Sequence, residues 1–233
     1  MAELVVALDY PEAEPALDLA RKLVGIAPWV KVGLELFVAE GPDVLSRFRD
    51  LGFKVFCDLK LHDIPATVRG ATRSAARAGA DMLTLHASGG ERMLAAAREG
   101  RDEAGTDNGP LLMAVTVLTS LDASDMAGIL AKSPAEMVLD LAVKAYRVGL
   151  DGVVCSPLEA AAVKAATDRA FKCLTPGIRL SDAKVDDQRR TASPSEAVAA
   201  GADFLVVGRP ITATKDPVAA ARSIREAMAQ NAP

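Results

Sequence analysis

Eight short runs rich in Val, Ile and Leu recur along the chain, and most are followed by a longer stretch whose apolar residues fall at helical spacing. The runs cover residues 4–9, 29–35, 54–60, 82–86, 111–118, 152–155, 172–178 and 204–210. Each is nearly continuously apolar, without the alternation of a half-solvated strand. That is the pattern of strands buried on both faces in a parallel sheet flanked by helices.

Helix starts are marked independently. Ser88/Glu91, Ser133/Glu136, Ser156/Glu159 and Ser193/Glu196 each fit the Ser-x-x-Glu capping box, in which the hydroxyl and the carboxylate satisfy two otherwise unpaired backbone N–H groups. Pro134, Pro157 and Pro194 follow three of these serines, and Asp216-Pro217 repeats the signal, because proline's missing N–H costs nothing in a first helical turn. Glycines in RAGAD (77–81), RVGLDG (147–152) and AAGADF (199–204) sit between a helix and the next strand, where a left-handed cap is favoured. No linker or composition shift interrupts the cycle. The expected architecture is α/β, a single (β/α)8 TIM barrel forming one catalytic domain over residues 1–233. The alternative, a doubly wound open sheet, would carry a Gly-rich turn after its first strand, and LVVALDYPEAE has none.

Charge and cysteine usage narrow the partners. With 27 Lys and Arg against 31 Asp and Glu, the net charge is −4, which argues against a nucleic-acid or polybasic membrane surface. Any anionic ligand has to be caught locally. Cys57, Cys155 and Cys173 are odd in number and widely spaced, so neither a disulfide framework nor metal-ligand spacing is present. They read as small core residues in a reducing cytoplasm. The apolar N-terminal stretch is too short for a signal segment, and no run approaches the ~18 residues of a membrane span.

In such a barrel the chemistry lies at the C-terminal ends of the strands. The polar residues there are Asp9, Lys31, Glu35, Asp58, Lys60, His62, Asp63, His86, Thr119, Ser120, Arg179, Gly208 and Arg209. FCDLKLHDIPATV (56–68) is the densest cluster. Asp58 and Lys60 are two apart and should share the inward face of one strand, an arrangement that is costly to bury without a use. A structural ion pair at the rim is the plainer reading. With Lys31 and Asp63 the set becomes two cations and two anions. A lysine held as ammonium between carboxylates suits stabilisation of a carbanion and proton donation, whereas Schiff-base chemistry wants a desolvated amine. VVGRPIT (206–212) ends the last strand with Gly208 and Arg209, where backbone N–H groups and a planar guanidinium can grip a phosphate. The polar stretch after Pro176-Gly177 has the length of a lid, and Arg179 and Gln188 would fold over a ligand; a plain surface loop is the alternative. His62 and His86 lack the partner spacing of a metal site. Trp29 reads as packing.

These motifs resemble orotidine 5′-phosphate decarboxylases over essentially the full length of the chain. The resemblance is carried by VVALD (5–9), KVGLELF (31–37), FCDLKLHDIPATV (56–68), AVTVLTS (114–120), TPGIR (175–179), DQRR (187–190) and VVGRPIT (206–212). It implies decarboxylation of orotidine 5′-monophosphate to uridine 5′-monophosphate, the last step of de novo pyrimidine nucleotide synthesis, with no cofactor and no metal. It further implies that Lys60 stabilises and protonates C6 of the pyrimidine within an array of Lys31, Asp58, Lys60 and Asp63. Asp9 and Lys31 would contact the ribose, and Thr119, or its neighbour Ser120, the pyrimidine. Arg179, Gln188, Gly208 and Arg209 would grip the 5′-phosphate. Asp63, Ile64 and Thr67 would enter the neighbouring site of a homodimer. Two other readings share part of the pattern. One is a related barrel enzyme working through a Mg²⁺-stabilised enediolate with Glu35 and Asp58 among its ligands; the other is a non-catalytic binder of a phosphorylated ligand.

Overall fold

The computed structural model describes residues 1–106, 109–121, 125, 132–179 and 190–230. Eight parallel strands close into a barrel in sequence order: β1 (Glu3–Ala7), β2 (Trp29–Gly33), β3 (Lys54–Leu61), β4 (Met82–His86), β5 (Leu111–Val115), β6 (Gly152–Val154), β7 (Lys172–Thr175) and β8 (Phe204–Val207). Pairing of β1 with β8, Val5 opposite Val206, removes the open-sheet alternative. Six strands lie inside an apolar run, and the other two overstep theirs by one residue, β1 at Glu3 and β3 at Leu61. The runs around β5, β7 and β8 continue past the strand into the loops at the barrel mouth, where the chain leaves the ladder at Thr116, Pro176 and Gly208.

Helices occupy the outside: α1 (Ala13–Leu23), α2 (Leu34–Glu40), α3 (Asp43–Arg49), α4 (Pro65–Arg77), α5 (Glu91–Asp102), α6 (Pro134–Val148), α7 (Ala160–Ala166), α8 (Pro194–Ala199), α9 (Arg209–Thr212) and α10 (Pro217–Ala229). Ser133 with Glu136 and Ser193 with Glu196 form the expected reciprocal boxes at α6 and α8. Asp216 caps α10 by accepting from the Ala219 N–H at 2.9 Å. The other two boxes differ. Ser88 lies in a 3₁₀ turn over Ala87–Gly89, and α5 begins only after Gly90. Glu159 accepts from the Ser156 N–H at 2.9 Å but is itself the N-cap residue of α7, with its other oxygen turned to Arg190. α6 ends at Gly149 with left-handed geometry, φ 82° and ψ 37°, a conformation costly for any residue with a Cβ.

At the closed end of the barrel, aspartates staple neighbouring strands. Asp81, Asp151 and Asp203, each just ahead of an even-numbered strand, accept from the backbone N–H of Val55, Leu112 and Cys173 on the preceding odd one, all at 2.8 Å. Carboxylates thereby satisfy strand-end donors that would otherwise be orphaned.

Apolar side chains form two layers. The larger lies between strands and helices and contains Leu4, Val30, Cys57, Leu83, Leu112, Val153 and Cys173 with inward faces of the helices. The smaller fills the barrel itself with Val5, Ala7, Trp29, Phe56, Met82, Met113, Leu174, Phe204 and Val206. Trp29 is packing, as expected: its ring meets Phe204 edge-on at 5.5 Å and its Nε1 donates to Glu3 at 3.0 Å. Above this plug the inward positions turn polar, and Lys31, Asp58 and Thr84 are all buried there.

Candidate active site

Charge alternates across three adjacent strand ends. Lys31 Nζ donates to Asp9 Oδ1 at 2.7 Å and lies 3.6 Å from Asp58 Oδ2, which in turn meets Lys60 Nζ at 2.8 Å. An array of two cations and two anions is thus present, but within one chain its second anion is Asp9 and not the expected Asp63. Side-chain exposure grades outward from 9% for Lys31 and 11% for Asp58 to 31% for Lys60. Lys60 is therefore not buried with its partner, as two-residue spacing in a plain strand suggests, but stands at the mouth. Burial alone would raise the Asp58 carboxyl; Lys31, then Lys60 and the Thr84 hydroxyl, outweigh it and hold the carboxyl below the ordinary value, so that it is an anion.

The position of Lys60 comes from an irregularity in the barrel. Cys57 pairs with Leu83 and Leu61 with Leu85, so four residues of β3 advance against two of β4. The surplus is a bulge, and within it Lys60 adopts φ 51°, alone among the described non-glycine residues in having positive φ. Such a backbone costs roughly 1–3 kcal/mol and persists only where surrounding contacts over-determine it. Here the Lys60 N–H donates to Thr84 Oγ1 at 3.0 Å, while that hydroxyl donates to Asp58 Oδ1 at 2.8 Å.

Gly33 lets the first pair form. A Cβ there would stand 2.6 Å from Asp9 Oδ1 and 2.9 Å from Lys31 Nζ. Neither Gly33 nor Thr84 stood out in the sequence. The available signals were a glycine directly after Lys31-Val32 and a threonine two residues beyond Met82, on the same face of a strand.

The array forms one wall of a cleft of about 520 Å³. Asp9, Lys31, Asp58, Lys60, Thr119, Ser120, Arg179, Gly208 and Arg209 all line it, with Phe56, Val115, Val154 and Leu174 as its apolar floor. Thr119 is buried and Ser120 exposed, and both border the cleft. Arg179, in the loop after β7, and Gly208 with Arg209, at the end of β8, bring further polar groups to the same cleft. Gln188 lies outside the described residues. The chain on either side of it is fastened: Arg179 N–H donates to Ala192 O at 2.9 Å and Ala192 N–H to Gly177 O at 3.3 Å. Arg190 pairs with Glu159 and donates to the Val117 and Leu118 carbonyls at 3.3 and 3.1 Å, tying this loop to the end of β5. Burial pushes the Glu159 carboxyl up, and Arg190 opposes the rise. The Ser-x-x-Glu and DQRR patterns contained both residues without pointing to this tie.

Asp63, Ile64 and Thr67 do not reach the cleft of their own chain. All three are exposed, Ile64 at 67%, and Asp63 Oδ1 accepts from the Ile64 N–H at 2.6 Å. Glu35 is exposed on α2 and is not among the cleft-lining residues. The His62 and His86 rings lie 5.2 Å apart beside the array. Burial, then His62 and Lys60, lower the His86 value against the pull of Asp58, leaving it neutral. Cys57, behind Asp58, is buried and its thiol is pushed up to about 12 by that burial and by the Asp58 charge, which makes it inert.

The chain is similar to known proteins over nearly its full length. The chain is 59% identical over 225 residues to the orotidine 5′-phosphate decarboxylase of Maridesulfovibrio salexigens, covering 96% of this chain and 97% of that one. Its identity to the corresponding protein of Nitratidesulfovibrio vulgaris is 55% over 232 residues, 98% of each chain. The crystal structure of orotidine 5′-phosphate decarboxylase from Lactobacillus acidophilus superposes with a TM-score of 0.87 at 36% identity, covering 98% of this chain and 99% of that one. No described helix is long and apolar enough to cross a membrane. A family model matches residues 2–224, and the chain belongs to the orotidine 5′-phosphate decarboxylase / HUMPS family.

Proposed function

We propose that this protein decarboxylates orotidine 5′-monophosphate to uridine 5′-monophosphate and CO₂, the closing step of pyrimidine nucleotide synthesis, in the cytoplasm and without a cofactor. The observation that carries the reading is the Asp9–Lys31–Asp58–Lys60 array, with Lys60 alone of the four held by a strained backbone at the cleft. Heterolysis of the C6–carboxylate bond releases CO₂ and leaves the electron pair on C6, with no adjacent carbonyl to delocalise it. The Lys60 ammonium stabilises that pair and then transfers a proton to C6; the resulting amine regains its proton from water. Asp58, kept anionic by its neighbours, and Lys31 hold the ammonium in place, and Asp9 with Lys31 contacts the ribose.

One unit-charge contact at about 4 Å is worth roughly 4 kcal/mol at an effective dielectric near 20, whereas the largest enzymatic accelerations need about 20 kcal/mol. Remote binding must supply much of the remainder. Arg179, Gln188, Gly208 and Arg209 take the 5′-phosphate, Thr119 the pyrimidine edge, and that binding energy holds the charge array around the reacting carbon in a dried, preorganised site.

The active unit is a homodimer of single-barrel chains in which Asp63, Ile64 and Thr67 complete the neighbouring cleft. Their exposure on one chain, with a large apolar side chain among them, supports this. A spectrophotometric assay with orotidine 5′-monophosphate in the presence of EDTA tests substrate, reaction and metal independence together. Lys60→Ala should abolish turnover while an unreactive nucleotide analogue still binds. Turnover near the normal rate in that variant would overturn the assignment, and loss of wild-type activity with EDTA would favour the Mg²⁺-dependent alternative.

A further inference from the structure

We infer that Thr84 is a positioning residue for this chemistry: one buried hydroxyl fixes both the Asp58 carboxylate and the backbone that presents Lys60. The inference rests on the proposed decarboxylation and adds a residue that none of the motifs contains. Thr84 lies in the middle of β4, pairs with Met113 across the sheet, and is fully buried. It faces into the barrel on the polar layer just above Met82.

The direction of both hydrogen bonds is forced. The Lys60 N–H can only donate, and an ionised Asp58 can only accept. The single hydroxyl hydrogen of Thr84 is therefore committed to Asp58 Oδ1, at 2.8 Å, and its lone pair to Lys60 N, at 3.0 Å. With Asp58 Oδ2 meeting Lys60 Nζ at 2.8 Å, the three residues form a closed ring of polar contacts. Bulging of β3 breaks the regular β3–β4 pairing between Cys57 and Leu61, and the Thr84 hydroxyl supplies an acceptor for the Lys60 N–H there. A strained φ of 51° at Lys60 is thereby tied to the orientation of the carboxylate that holds its ammonium.

A valine at this position keeps the branched shape and loses both bonds. Thr84→Val should lower kcat by about 100-fold, the scale of a misplacement near 1 Å in a preorganised site, while KM for orotidine 5′-monophosphate stays close to that of the wild type. Losing a donor to its anion also raises the Asp58 value, so the acid limb of the kcat/KM profile should move to higher pH in Thr84→Val. Thr84→Ser, which keeps the hydroxyl, should restore both kcat and the profile. If the valine variant does not fold, Thr84→Cys carries the same test, since a thiol of similar size donates a poor hydrogen bond. The inference is overturned if Thr84→Val (or Thr84→Cys) keeps the wild-type kcat and pH profile, or if Thr84→Ser is as impaired as Thr84→Val. Wild-type protein that releases no CO₂ from orotidine 5′-monophosphate would overturn the functional reading and this inference with it; an active wild type matched by Thr84→Val overturns the inference alone.

Discussion

Gly33→Ala isolates the part played by close approach in the charge array. Gly33 has φ −87° and ψ 179°, which any residue adopts, so alanine brings no backbone strain and the whole effect comes from its methyl group. That methyl would stand 2.6 Å from Asp9 Oδ1 and 2.9 Å from Lys31 Nζ, against an ordinary contact of 3.4 Å or more. One or both groups must retreat by several tenths of an ångström. Lys31 is hemmed in at 9% side-chain exposure, whereas Asp9 is 55% exposed, so Asp9 gives way. A hydrogen bond between charged groups contributes about 1.5–3 kcal/mol, and solvent screening of the exposed partner reduces this to about 1–2 kcal/mol. Stability is a poor reporter, because Gly→Ala stiffens the unfolded chain and returns about 0.4–1 kcal/mol.

Substrate capture decides the question. If Asp9 and Lys31 hold the ribose, one or two kcal/mol corresponds to a rise of roughly 5- to 30-fold in KM, with kcat less affected because the Asp58–Lys60 contact is left in place. Steady-state kinetics on orotidine 5′-monophosphate measures this, and a double-mutant cycle with Asp9→Ala checks the route. Adding Gly33→Ala to Asp9→Ala should cost little further, since both act through one carboxylate. An unchanged KM in Gly33→Ala, or full additivity in the cycle, would refute the reasoning.

Asp58→Asn should destabilise the protein at neutral pH, by less than the ~3–5 kcal/mol of a fully buried broken pair, because Lys60 is partly exposed and Lys31 keeps Asp9 as a partner. The folded-state carboxyl value is depressed, so its stabilisation is fully present above the unfolded value near 4 and disappears as pH falls toward the lower folded value. Urea unfolding at several pH values should therefore show the gap between wild type and Asp58→Asn constant above about pH 5 and closing below about pH 4; a gap that widens in acid contradicts the charge assignment. Arg209→Ala should raise KM, and added phosphite-like dianions should restore part of the rate; kinetics indistinguishable from wild type would remove Arg209 from the phosphate grip. Ile64→Asp should shift the protein toward monomer in sedimentation and lose activity in parallel, whereas a fully active monomer would refute the shared site.

The barrel was legible because its strands are buried on both faces. Burial on both sides produces the unbroken apolar runs, and the Ser-Pro-x-Glu signals at 133–136 and 193–196 mark helix starts through local hydrogen bonds that need no tertiary context. Two boxes differ from the pattern: Glu159 keeps the Ser156 N–H on one oxygen while its other oxygen pairs with Arg190, thirty-one residues away, and Ser88 is taken up by the 3₁₀ turn over Ala87–Gly89. At the site, Asp9, Lys31, Asp58, Lys60, Thr119, Arg179, Gly208 and Arg209 meet in one cleft as expected from charged or small residues at strand ends. Asp63 lies outside the cleft of its own chain because the turn after Leu61 carries it outward, which three-residue spacing from Lys60 does not show. Thr84 and Gly33 stayed hidden for opposite reasons. A lone threonine in an apolar strand is ordinary, and the need for hydrogen at Gly33 exists only once Asp9 and Lys31, from different strands, converge on the space a methyl would occupy.

The stopper of Trp29, Phe56, Met82, Met113 and Phe204 leaves the tunnel of the barrel blind. On the proposed reaction, gas and nucleotide then share the mouth at the strand C-termini, since among the described residues the axis behind it is plugged. Carbon dioxide released beside Asp58 and Lys60 would leave through the same mouth as the nucleotide, so the proposed reaction implies an order of departure: the small neutral molecule first, the anchored anion last.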